Sequence, residues 1–241
     1  KTIAIVCGGD SSEHDVSMRS AEGIASFIDS ERYLIYKVEI CAGKWEAMFP
    51  DGSRAMVCKD DFSFVVEGER IRPDMCYITI HGAPGENGEL QGYFDLIGMP
   101  YSTCGVLVEA LTYDKFVLNN YMRAFGVSVA DSLLVKIGHD KEVSDEDIVS
   151  RIGLPCFVKP SRGGSSFGTT KVKTVEALRP AIELALEEGE DVMVESFMGG
   201  TEITCGCYKT KQKSVVFPIT EVVPQNEFFD YDAKYNGQEV R

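Results

Sequence analysis

The segment Lys159-Pro160-Ser161-Arg162-Gly163-Gly164-Ser165-Ser166-Phe167-Gly168 has the residue types of an anion cradle. Small residues between two apolar stretches let backbone N–H groups approach a bound anion closely, and serine hydroxyls add donors. Lys159 and Arg162 supply countercharge. It is not a Walker A loop, because Thr169 follows Gly168 where that motif needs lysine, and a strand pattern follows where it needs a helix. An ordinary flexible hairpin would use the same glycines. The lysine at the end of an apolar strand shifts the reading toward nucleotide binding.

A second loop, Gly8-Gly9-Asp10-Ser11-Ser12-Glu13-His14-Asp15-Val16-Ser17, precedes a helical pattern. Such βα turns bind anions at the helix N-terminus, yet this one carries Asp10, Glu13 and Asp15, which suit an ammonium group better than a phosphate. Alternatively, acids here complement the helix dipole, a reading stronger for Asp10 and Asp15 than for Glu13. A third loop, His81-Gly82-Ala83-Pro84-Gly85-Glu86-Asn87-Gly88, sets a histidine at the end of an apolar strand. A ligand-facing role suits that position, although a lone histidine is more often structural. The tail, residues 226–235, mixes aromatic and charged residues without periodicity, as a lid loop would. An edge strand or an irregular chain end is the alternative.

The elements that position these loops alternate in the first hundred residues. Residues 1–6, 34–40 and 75–80 read as strands, and Met18, Ala21, Ile24, Ala25 and Ile28 recur at helical spacing. That alternation predicts βαβ units and a parallel sheet, with ligands beyond the carboxyl ends of its strands. Further on, the pattern predicts helices over 112–125 (closed by Gly126), 144–152 (capped by Ser144) and 176–188. In the last of these, Pro180 implies a late start or a kink. Strands are expected over 156–159 and 169–172, and again from residue 191, with a hairpin turning at 210–212.

Bulk properties narrow the partners. A net charge of −14 over 241 residues excludes the basic footprint of a nucleic-acid binder and disfavours an anionic membrane surface. The longest apolar runs are far too short to span a bilayer, and residues 1–6 lead directly into polar sequence without a leader pattern. The eight cysteines are scattered without a C-x-x-C pair, which points to reduced, buried thiols in a cytoplasmic protein. Three distant histidines make a zinc site unexpected.

In order along the chain, these segments resemble the D-alanine–D-alanine ligase family of the ATP-grasp superfamily. The likeness covers Gly8-Gly9-x-Ser11-x-Glu13-x-x-Val16-Ser17, His81-Gly82 with Gly85-Glu86-x-Gly88-x-Leu90-Gln91-Gly92, Pro100-Tyr101-Ser102, and Asp114-Lys115. It continues through Lys159-Pro160-Ser161-x-x-Gly164-Ser165-Ser166-x-Gly168, Glu195-x-Phe197-x-x-Gly200-x-Glu202 and Phe229-Asp230-Tyr231-x-Ala233-Lys234-Tyr235. The resemblance implies an α/β fold: an N-terminal parallel-sheet, Rossmann-like substrate domain over 1–103, a central ATP-grasp domain over 104–194, and the start of a C-terminal ATP-grasp domain over 195–241.

It also implies site roles. ATP would phosphorylate one D-alanine, and the amine of a second would attack the acyl phosphate. Glu13 would receive the first ammonium, with His81 near it, and Ser165, linked with Glu13 and Tyr235, would orient the substrates. Lys115, Lys159 and Lys234, with Ser166, would meet the phosphates. Glu195 and Met198 would read adenine, Phe197 would line its pocket, and Glu202 would hold the ribose. Tyr235 favours an amine nucleophile over D-lactate.

Two departures qualify the match. Ser196 stands where the family often carries lysine. The family's ligands for Mg²⁺ (or Mn²⁺) are expected beyond the lid, in a segment this chain lacks, so no metal ligand is assigned. A homodimer through the N-terminal region is expected from the family. The alternatives are a related D-Ala–D-Ser or D-Ala–D-Lac ligase, or an inactive nucleotide-binding fragment.

Overall fold

The computed structural model describes residues 1–136 and 143–223, and these divide into two compact units. The first comprises Lys1–Ser128 with Ser161–Gly164, and the second Val129–Pro160 with the chain from Ser165 onward.

In the first unit, β1 (Thr2–Gly8) leads into α1 (His14–Phe27), then β2 (Leu34–Cys41), β3 (Lys44–Met48) and β4 (Arg54–Met56). A small hairpin of β5 (Phe64–Val66) and β6 (Glu69–Ile71) precedes β7 (Met75–Ile78). Helices α2 (Glu89–Leu96), α3 (Val106–Tyr113) and α4 (Lys115–Ala124) follow. The main sheet has the order β4-β3-β2-β1-β7, with β1 parallel to both β2 and β7.

The unbroken apolar run of β1 is explained by burial on both faces. Ala4 and Val6 join Val38, Ile40, Cys76 and Phe94 on one side, whereas Ile5 and Cys7 pack with Ala21 of α1 on the other. The sheet is mixed and not wholly parallel, because β3 and β4 add to β2 as antiparallel strands. Each joins its neighbour through a short connection, and a parallel strand cannot follow so tightly.

The expected single helix over 112–125 is two helices. Asp114 is extended (φ −94°, ψ 105°), and its carboxylate accepts the N–H of Val117, capping α4. Periodicity ran through the break, but a carboxylate that competes for backbone N–H groups starts a new helix. Gly126 beyond α4 has φ +77°, as a C′ glycine should.

The second unit contains β8 (Ser132–Lys136), α5 (Asp145–Ile152), β9 (Cys156–Pro160), β10 (Thr170–Val172), α6 (Leu178–Leu186) and β11 (Asp191–Ser196). Its antiparallel sheet has the order β10-β9-β11-β8. Val158, Val192 and Val194 face Ile148 of α5 and Leu178, Ala181, Ile182 and Ala185 of α6. A 3₁₀ turn at Val175–Ala177 precedes α6, so Pro180 falls in that helix's first turn, where its missing N–H costs nothing. Beyond lie β12 (Ile203–Thr204), β13 (Cys207–Lys209), β14 (Ser214–Val216) and β15 (Thr220–Glu221). The β13–β14 hairpin closes with the Thr210 N–H donating to the Lys213 carbonyl.

All eight cysteines are free. Burial in apolar surroundings pushes the Cys7 thiol up to about 12 and Cys76 higher still. The thiols are not uniformly buried, however: Cys104, Cys205 and Cys207 are exposed.

Candidate active site

In the first unit the loop after β1 is held at nearly every residue. Gly8 and Gly9 have φ of +93° and +99°, and an added Cβ would stand 2.7 Å from the Ile40 oxygen and 2.7 Å from Ile80 Cγ2 respectively. No side chain fits either place. The Ser17 hydroxyl accepts the Gly8 N–H at 3.0 Å and donates to the Thr79 carbonyl at 2.8 Å, tying β1, α1 and the end of β7 together.

Ser11 Oγ accepts the Glu13 N–H at 3.2 Å and donates to the His81 carbonyl at 2.8 Å. Glu13 is thereby fixed, with only 3% of its surface exposed. The three acids of this loop then separate. Asp10 accepts the Ala42 N–H at 2.6 Å, and Asp15 has a side chain 95% exposed. Glu13 alone combines burial with a position beyond the carboxyl end of β1.

The His81 loop braces this arrangement. His81 Nε2 lies 3.3 Å from Ser20 Oγ on α1, which orients the ring. Glu86 accepts the Gly82 N–H at 2.7 Å, and a Cβ on Gly82 would strike Ser11 Oγ at 2.6 Å. Burial pushes the Glu86 carboxyl above its ordinary range, the Gly82 N–H opposes the shift, and the nearby Glu13 charge adds to it. In the sequence Glu86 stands within a motif but carries no evident role, because a buried loop carboxylate has no periodic signal.

Residues 161–164 of the glycine-rich loop belong to this same unit. A Cβ on Gly164 would sit 2.9 Å from both carboxylate oxygens of Glu13, so the loop backbone runs directly against that acid. Lys115, the first residue of α4, donates its backbone N–H to the Ser161 carbonyl at 2.8 Å and its Nζ to the Gly163 carbonyl at 2.6 Å. Glu13, Lys115 and the first half of the loop are thus brought together.

In the second unit, Ser165 and Ser166 have φ of +49° and +63°. Left-handed backbone at two consecutive non-glycine residues is costly, and such strain gathers where a turn must aim N–H groups at a ligand. Phe157, Lys159, Met193 and Glu195 share the sheet face opposite the helices, since Lys159 pairs with Met193 and Glu195 with Phe157. Lys159 Nζ forms an ion pair with Glu195. Two residues expected to meet different parts of one nucleotide therefore touch each other.

Beyond β11 a cavity of about 560 Å³, within the usual range for small-ligand sites, is lined by Phe157, Phe197, Met198, Glu202 and Glu221 among others. It gathers the expected Phe197, Met198 and Glu202, and adds Phe157 and Glu221, which the sequence did not single out. Lys171 Nζ lies 4.3 Å above the Phe197 ring. Ser196 plays a structural part, for its hydroxyl accepts the Asp131 N–H at 3.1 Å. Lys234 and Tyr235 lie outside the described residues.

The comparisons with known proteins agree along the whole chain. Residues 2–104 match the family model described as D-ala D-ala ligase N-terminus, and residues 121–241 the model described as D-ala D-ala ligase C-terminus. A D-alanine–D-alanine ligase from Bacteroides fragilis is 63% identical over 99% of this chain and 73% of its own length. One from Phocaeicola vulgatus is 61% identical with the same coverage.

Among solved structures, D-alanyl-alanine synthetase A from Vibrio cholerae superposes with a TM-score of 0.84 at 28% identity, over 100% of this chain and 73% of that one. A D-Ala:D-Ser ligase from Enterococcus faecalis gives 0.82 at 30% identity, over 100% and 75%. With both family models matched and such identity to relatives along nearly its whole length, this chain belongs to the D-alanine–D-alanine ligase family.

Proposed function

We propose that the chain joins two D-alanine molecules into D-alanyl-D-alanine, the step that supplies peptidoglycan synthesis, with Glu13 receiving the first ammonium. The buried Glu13 carboxylate, with the Gly164 backbone against it, is the observation that carries this reading. A buried carboxylate beyond the carboxyl end of β1 suits an ammonium group, and the glycine- and serine-rich loop beside it suits a phosphate on the carboxylate end of the same small amino acid.

The reaction is a carboxylate–amine ligation. A carboxylate oxygen of the first D-alanine attacks the γ-phosphorus of ATP, ADP leaves, and an acyl phosphate forms. The free amine of the second D-alanine attacks that carbonyl and forms the C–N bond, the acyl carbon–oxygen bond breaks, phosphate leaves with its electron pair, and the nitrogen gives up a proton. His81 sits beside the first substrate, and Ser165, with Tyr235, orients the amino acids. Lys115, Lys159 and Lys234, with Ser166, neutralise phosphate charge that grows during transfer. Glu195 and the backbone at Met198 read adenine, Phe197 lines its pocket, and Glu202 holds the ribose.

ATP is used with Mg²⁺ (or Mn²⁺) in this reading. Among the described residues no group of three or more His, Cys, Asp or Glu side chains could hold a metal ion. A domain division at 103/104 and 194/195, a homodimer formed through the N-terminal region and a cytoplasmic location complete the proposal. Among the described residues no helix is long and apolar enough to cross a membrane.

Phosphate release from ATP should depend on D-alanine, and the product with mixed D-alanine, D-serine and D-lactate should be D-alanyl-D-alanine. Release without D-alanine dependence overturns the reading. Tyr235→Phe should shift preference toward D-lactate.

A further inference from the structure

Asp114 links more of the loop region than its place before a helix requires. Its Oδ1 accepts the Val117 N–H at 3.1 Å and the Ser161 hydroxyl at 2.7 Å, while Oδ2 accepts from Arg162 Nε at 3.2 Å. The backbones of Asp114 and Arg162 also form an antiparallel bridge, and the Lys115 N–H donates to the Ser161 carbonyl. Ser161 is fully buried. A helix cap uses only the first of these bonds. The remainder fasten a loop 47 residues away in sequence.

We propose that Asp114 is a positioning residue for nucleotide use: it fixes the first half of the phosphate loop to the start of α4 and so sets Lys115 against that loop. The carboxylate spans two loop residues, and the next residue in the chain is the lysine whose Nζ reaches the Gly163 carbonyl at 2.6 Å. Burial works against the Asp114 charge, yet the Val117 N–H, the Ser161 hydroxyl and the Arg162 guanidinium together hold its carboxyl below the ordinary range. The carboxylate therefore stays ionised at neutral pH and keeps all its donors engaged.

This inference rests on the reading that Lys115 and the glycine-rich loop bind ATP phosphates, and the test separates the two. Asparagine caps a helix as well as aspartate does, so Asp114→Asn spares α4 and breaks chiefly the charged link to Arg162. In the full chain it should raise KM for ATP several-fold, because loosening this half-exposed link lets the loop leave its place against Lys115. KM for D-alanine should barely move, and the melting temperature should fall by no more than a few degrees, since the lost link lies within the folded chain.

Ser161→Ala should act in the same direction, and the double variant should fall short of the product of the two effects, because both act through one loop. Should Asp114→Asn fail to fold, Ser161→Ala carries the test. An unchanged ATP KM overturns the proposal, and so does a parallel loss of both substrates' KM together with the melting temperature. Lys159→Ala is the control: if it leaves ATP KM unchanged, the phosphate-loop reading itself fails. If it raises ATP KM while Asp114→Asn does not, only the positioning role fails.

Discussion

The loop after β1 and the rim of the cavity beyond β11 take opposite approaches to holding a ligand. Around Glu13, glycines are forced by close backbone contacts, serine hydroxyls bond in both directions, and the key side chain is 3% exposed. Around the cavity, Phe197 is 43% exposed, Met198 is more so, and an added Cβ on Gly200 would meet open space. In the proposed function a small charged substrate meets Glu13 through one ion pair, whose worth depends on exclusion of water and on fixed geometry. In the same proposal the cavity takes a nucleotide's broad ring and ribose, for which apolar area and peripheral carboxylates suffice, and the rim can stay open. Rigidity is concentrated where a single charge decides.

Removing that charge should have the largest effect. Glu13→Gln leaves the buried site without its anion and should lower kcat/KM for D-alanine about 10²–10³-fold, as for other buried charge pairs. KM for ATP should stay nearly constant. Steady-state kinetics varying each substrate in turn will show this, and an equal effect on both substrates would break the contrast.

Backbone substitutions sharpen it further. Gly9→Ala meets Ile80 Cγ2 at 2.7 Å with φ +99°, so it should cost about 3 kcal/mol and lower the melting temperature by roughly 10 °C. Gly200→Ala, at φ +150° with open space, carries backbone strain alone and should cost about 1 kcal/mol. Similar losses at both glycines in thermal denaturation would erase the distinction. Phe197→Ala should weaken ATP about tenfold by removing one aromatic wall, a change calorimetry with ATP reads directly.

Much of the first unit was legible because its signals are local. An apolar run ending at Gly8-Gly9 could only be a strand meeting a turn, and helical spacing from Met18 to Ile28 predicted α1. Strands β3 to β6 were not anticipated: they are three to five residues long, and charged residues such as Lys44, Glu46 and Arg70 interrupt any alternation. The break at Asp114 was hidden for another reason, since its cause is a hydrogen bond to Val117 and not a change in hydrophobic period.

The site followed the same rule. Glu13 stood out by the acidic character of its loop, whereas Lys115 and Phe197 were singled out only through the family resemblance. The ion pair of Lys159 with Glu195, and the presence of Phe157 and Glu221 in the cavity wall, depend on strand register across 36 or more residues. No local pattern records such a register.

The smallest expected effect concerns His14, next in sequence to Glu13 but turned away from it toward other partners. Its Nε2 meets Glu39 at 3.0 Å and its Nδ1 meets Asp15 at 3.2 Å, while Arg54 pairs with the same Glu39. Partial burial lowers the imidazole pKa, but the bonds to Asp15 and Glu39 outweigh it and raise it above 6.5. Burial likewise raises the Glu39 carboxyl, and the bonds from Arg54 and His14 outweigh that and bring it below 4.5.

The raised imidazole contributes its full stability below 6.5 and loses it as pH climbs through the folded-state value. The depressed carboxyl contributes fully above 4.5 and fades as pH falls through its own lowered value. The pair is therefore most stabilising between those two limits. Because the ring is partly solvated, the gain stays below about 1 kcal/mol. His14→Asn should be slightly less stable than the parent near about pH 5.5, and the difference should shrink as pH rises through the imidazole's folded-state value. A deficit with no pH dependence would mean His14 acts through neutral packing and hydrogen bonding. The charge network beside the loop after β1 would then add nothing to its rigidity.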